Sequence, residues 1–124
     1  MGKSQVDLLR YNVDEWNLWR SADGRTSFIE LSGADLSHVY LGSVNLRSAY
    51  LSEANLSGAD LSNANLCNAK LGDADLRDAD LRDADLTNAD LTGANLTGAK
   101  ASEYTKWPTA DFDFAARGVT IEED

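Results

Sequence analysis

Nucleophilic or acid–base chemistry needs a reactive group beside a partner that carries its proton, and this chain offers few such groups. It holds one histidine, His38, and one cysteine, Cys67. Carboxylates are plentiful: Asp73, Asp75, Asp78, Asp80, Asp83 and Asp85 fall in one short run, with Arg77 and Arg82 among them. Converging carboxylates would suit calcium, but arginines in the same run compete by pairing with them. There is no glycine-rich phosphate loop. A single cysteine forms neither an internal disulfide nor a cysteine-rich metal site, and an unpaired thiol fits a reducing compartment. Whether any of these groups meet depends on the elements that carry them.

Those elements follow from a repeat of period five. Leucine stands at positions 31, 36, 41, 46, 51, 56, 61, 66, 71, 76, 81, 86, 91 and 96 without a break. Two residues earlier stands a small or β-branched apolar residue: Ile29, Ala34, Val39, Val44, Ala49, then alanine at every fifth position to Ala94. The residue between is mostly Asp or Asn. A step of five scatters leucines around an α-helix and sends them to alternate faces of a flat strand, so neither element gives a single core. Three extended residues pointing in, out and in, followed by a two-residue corner, keep Ala and Leu inside. The corner positions carry Ser, Gly, Asp, Asn, Arg and Thr, types that suit turns. One coil buries too little to order its own backbone, so successive coils must hydrogen-bond as neighbouring strands do. The chain is predicted to wind around its own leucines.

The run ADLRDADLRDADLTNADLTGANLTG, Ala74 to Gly98, resembles the A(D/N)LXX signature of the pentapeptide repeat proteins, and the resemblance covers at least Ile29 to Lys100. It implies an all-β fold, a right-handed quadrilateral β-helix or β-solenoid of about 3.5 to 4 coils with four units per coil. At strand spacing, three and a half coils stand about 17 Å tall. On such a frame His38 and Cys67 lie on different sides and point apart, as two exposed surface residues. No catalytic site, cofactor or metal is therefore expected, and the protein is read as a non-enzyme. The aspartates read as outward, solvated groups that bond corner amides.

Both ends have the composition of caps. Residues 4 to 19 are predicted to form one helix, started by Ser4 with Asp7, with Val6, Leu9, Val13, Trp16 and Trp19 on one half of its surface. After Lys100 the leucine spacing stops, and Tyr104, Trp107, Pro108, Phe112 and Phe114 appear. Asp111 or Asp113 is expected to open a one-turn helix closed at Gly118, with Val119 and Ile121 adding a strand. The division is then residues 1–28 as helical cap, 29–100 as solenoid and 101–124 as C-terminal cap, in one structural domain.

Charge limits the partners. The chain carries a net charge of -10 over 124 residues, which argues against direct nucleic-acid binding and against anionic membranes. Apolar runs too short for a span or leader point to the cytoplasm. The expected function is a non-catalytic protein-interaction or scaffold module, as a monomer or a C-terminally joined dimer. Its expected contact residues are Tyr40 and Tyr50 and the belt of Asp75, Arg77, Asp80, Arg82 and Asp85. The family resemblance supplies an alternative: mimicry of duplex DNA toward a type II topoisomerase such as gyrase, through the acidic solenoid surface. Aligned at twenty-residue spacing, however, no side of the repeat makes a continuous acidic stripe.

Overall fold

The extended triplet and corner expected of each unit recur along the computed structural model, which describes residues 5–22 and 29–122. Around each corner the inward residue donates its amide to the preceding leucine carbonyl, as from Ala54 to Leu51 at 3.0 Å. The second corner residue takes positive φ, from Asp73 at 57° to Gly98 at 78°, which a type II turn requires. Asn, Asp and Gly accept that conformation readily, and they fill most of these positions. His38, Ser43, Ser48 and Glu53, all in the first two circuits, adopt it without that chemistry.

Parallel bridges join each outward residue to the one twenty positions on. Glu30, Tyr50, Lys70 and Asp90 form one ladder; Asp35, Asn55, Asp75 and Asn95 the second; Tyr40, Asp60, Asp80 and Lys100 the third; Asn45, Asn65 and Asp85 the fourth. Four units therefore complete one circuit, and the backbone is a four-sided β-helix. Hydrogen bonds between circuits are regular, as where Asp60 donates to Val39 at 3.1 Å and accepts from Leu41 at 2.8 Å. The leucines from Leu36 to Leu86 are wholly buried, with Ala49, Ala54, Ala59, Ala69, Ala79 and Ala84 beside them.

One unit is longer by a residue, and the sequence shows why it is tolerated. The fourth ladder steps from Asp85 to Lys106. The unit that ends there contains Ser102 and Thr105, both buried. The Asp83 amide, which would otherwise meet the carbonyl of residue 102, instead donates to the Ser102 hydroxyl at 3.0 Å. The Thr105 hydroxyl donates to the Leu81 carbonyl at 2.8 Å and accepts from the Ser102 amide at 3.0 Å. The Ser102 hydroxyl thus replaces a displaced backbone carbonyl, and the Thr105 hydroxyl takes the amide that an Asp or Asn side chain accepts in the other units.

Ahead of the repeat, helix α1 covers Gln5–Tyr11 and helix α2 covers Val13–Ala22. The single helix expected over residues 4 to 19 is interrupted at Asn12, whose carboxamide oxygen accepts the Glu15 amide at 2.9 Å. That is a helix-starting bond, so a new helix begins where the sequence pattern read as continuous. Ser4 lies outside the described residues. At the far end β1, Lys100–Ala101, pairs in parallel with β2, Thr120–Ile121. Between them Asp113 accepts the Ala116 amide at 3.1 Å at the start of a 3-10 helix, Ala115–Arg117, closed by Gly118 at φ 85°. Trp107 stacks with Phe112 and Phe114 at centroid distances of 5.2 and 5.3 Å.

Candidate functional site

The outward Asp and Asn of each unit are fixed by the corner they precede. Asp35, Asn45, Asn55, Asp60, Asn65, Asp75, Asp80, Asp85, Asp90 and Asn95 each accept the amide two residues on. In the aspartate run this occupies one lobe of Asp75, Asp80 and Asp85, while Asp73, Asp78 and Asp83 stand at the corners themselves and Asp83 accepts the Ser102 hydroxyl. Among the described residues no group of three His, Cys, Asp or Glu is placed to hold a metal.

Within the expected belt, each arginine turns back onto its own unit. Arg77 grips Asp75 through Nε at 2.9 Å and the second guanidinium nitrogen at 2.7 Å, and Arg82 holds Asp80 with the same two distances. The pairs lie on adjacent sides of the helix, Asp75 in the second ladder and Asp80 in the third. The Arg77 and Arg82 hydrogen bonds hold both carboxyls below the usual carboxylate range. Exposed pairs of this kind add little stability but fix a patterned surface. Asp85, on the fourth side, is pushed up by burial; hydrogen bonds from Thr87 and Cys67, with the Lys106 charge, outweigh this and hold it low.

Cys67 departs from expectation: it is buried, not a surface residue. Burial and its bond to the Asp85 carboxylate push the thiol up, away from the thiolate a nucleophile needs. His38 is exposed at a first-circuit corner, where its ring lies over Gly58 and leaves no room there for a Cβ. Histidine and cysteine thus sit apart, in separate surroundings.

Tyr40 and Tyr50 stand on opposite sides, in the third and first ladders. Tyr40 is 67% exposed and its ring folds over Gly42. The sequence pattern did not reveal the cleft beside it. A cavity of about 490 Å³ opens there, lined by Arg10, Tyr11, Asn12, Val13 and Asp14 from the helical segment and by Tyr40, Gly42 and Ser43 from the first circuit. Also unread was the way the helices meet the first circuit. Arg10 donates to the Asp35 carbonyl at 2.6 Å, Trp16 Nε1 to the Asn45 carbonyl at 2.8 Å, and Arg20 to the Arg47 carbonyl at 2.8 Å. Asn17 accepts the Asn45 amide at 2.8 Å while donating to the Ser43 carbonyl at 3.0 Å. Its carboxamide does there what a peptide group of a preceding coil would do.

Family comparison agrees with this geometry. A family model of pentapeptide repeats matches residues 29–66 and 59–98, in eight copies. The chain belongs to the pentapeptide repeat family. This member is similar to a solved pentapeptide repeat protein from Nostoc PCC 7120, with 37% identity, TM-score 0.59, and coverage of 85% of this chain and 92% of that one. It is also similar to one from the Arabidopsis thaliana thylakoid lumen, at 35% identity and TM-score 0.61, over 77% of this chain and 63% of that one. QnrB1, a plasmid-mediated fluoroquinolone resistance protein, shares the fold at 19% identity and TM-score 0.54, over 75% of this chain and 57% of its own. No curated protein matches. Among the described residues no helix is long and apolar enough to cross a membrane.

Proposed function

We propose that this pentapeptide repeat protein is a non-catalytic interaction or scaffold module of the cytoplasm. The observation that carries the reading is the use of its polar groups: the carboxylate or carboxamide in the middle of most units serves the corner that follows, and the lone thiol is buried near the Asp85 carboxylate. What remains outward is a set of flat, patterned faces, with Tyr40, Tyr50 and the belt of Asp75, Arg77, Asp80, Arg82 and Asp85 as contact residues. The winding is right-handed, about 3.5 to 4 coils. Residues 1–28 and 101–124 serve as caps on a solenoid centred on 29–100, in a monomer or a C-terminally joined dimer.

Mimicry of DNA toward gyrase is the weaker reading. Overall charge favours it, but the ladders do not: Lys70 is bridged to Asp90, Lys100 to Asp80 and Lys106 to Asp85, so a cation interrupts the acidic residues on three sides. Supercoiling by purified gyrase, titrated with this protein, separates the two. The module reading expects no inhibition at large excess, and capture of cellular proteins that Tyr50→Asp or a double Arg77→Glu, Arg82→Glu variant loses with unchanged circular dichroism. Salt-sensitive inhibition of supercoiling would favour mimicry instead.

A further inference from the structure

The hydrogen bonds that close the first circuit are unevenly distributed. On the second and fourth sides, helix side chains reach the backbone: Arg10 at Asp35, and Trp16 and Asn17 at Asn45. On the first and third sides, among the described residues, they do not, and only the third borders the cleft. Val39 and Leu41 bond downward to Asp60, which leaves the Tyr40 amide and carbonyl directed at the missing coil, and neither has a partner among the described residues. The 490 Å³ cleft lies along this edge, between it and residues 10–14, where the chain passes from α1 to α2. An unpaired donor and acceptor on one extended residue are complementary to an extended polypeptide, which adds as a strand through its own backbone.

Charge complementarity selects the kind of strand. The chain as a whole carries -10. In the cleft, Arg10 donates to the Asp35 carbonyl and its charge is offset by the nearby Asp35 carboxylate, whereas Asp14 lines the wall with no partner among the described residues. The exposed rings of Tyr11 and Tyr40 add apolar faces on which a cationic side chain can rest. We propose that this cleft takes an extended, basic peptide segment of a partner protein, which pairs its backbone with the Tyr40 amide and carbonyl and sets a Lys or Arg against Asp14. This rests on the interaction-module reading and names the surface and partner chemistry for it.

The test uses the full chain and a displayed library of random twelve-residue peptides. Selected peptides are expected to be enriched in Lys and Arg, and the best of them, synthesised, to slow exchange of the Tyr40 amide at least tenfold at saturation. Backbone N-methylation at alternate residues of that peptide should abolish binding. Tyr40→Pro deletes an amide that bonds nothing within the described fold, and an edge position tolerates proline. That variant and Asp14→Asn, which removes the charge but keeps a side chain suited to a helix N-terminus, should each weaken binding at least tenfold with little change in melting temperature. The proposal fails if no peptide is enriched, if the N-methylated peptide binds equally well, or if binding leaves Tyr40 exchange unchanged. It also fails if the Tyr40 amide is protected without peptide, independent of concentration for an occupant from its own chain, or rising with concentration for a second copy. A cellular partner lost on changing Arg77 and Arg82, yet silent at Tyr40, would sink the strand and keep the module.

Discussion

At Asp85 one carboxylate oxygen accepts both the Thr87 amide at 3.0 Å and the Thr87 hydroxyl at 2.6 Å. Asparagine offers the same acceptor geometry without charge, which is why the repeat uses the two interchangeably. Asp85→Ala should therefore cost about 1 kcal/mol in chemical denaturation, while Asp85→Asn costs much less. Acid distinguishes the two acceptors. A carboxyl held below its unfolded value stabilises the fold above about pH 4 and loses that contribution as pH falls through its folded value. The drop in melting temperature between pH 6 and pH 3 should be smaller in Asp85→Asn than in the parent. The acceptor role of these residues was legible in their fixed place before each corner. The burial of Cys67 was not, because a corner residue's exposure depends on what the next circuit lays over it.

At the scale of elements, the helical pair replaces a strand with side chains. A coil of the repeat would present its backbone to Asn45; α2 presents Trp16 and Asn17 instead. Trp16→Phe keeps the buried ring but leaves the Asn45 carbonyl without a donor, and should cost about 1 to 3 kcal/mol. Asn17→Ala should cost a similar amount, while Leu18→Ala, at a residue 70% exposed, changes the melting temperature by little. Negligible losses for Trp16→Phe and Asn17→Ala would show that the helices dock by apolar packing alone. The amphipathic spacing predicted a helix, and Asn12 alone signalled its interruption. Pairing to particular carbonyls was invisible, because it depends on where a helix surface meets a distant edge.

For the whole molecule, stability is shared between neighbouring circuits, as in other solenoids, so damage in a central one removes partners from both sides. Leu61→Asp places an unpaired charge in a fully buried column and should abolish the folded circular-dichroism signal at 25 °C. A native spectrum for that variant would sink the inward-leucine arrangement. The period of five by itself determined the inward Ala and Leu, the outward acceptors and the corners, since every unit repeats the same local problem and gives it the same residues. The twenty-residue circuit entered the sequence reading only through family resemblance, because the outward positions share no strong twenty-residue pattern; the parallel ladders decided it. Tertiary structure alone also decided the two ends. There the repeat stops, and which side of the first circuit is sealed and which edge stays open at Tyr40 depends on how one helical segment crosses a square of backbone. That is a relation between residues some thirty positions apart, and no local pattern records it.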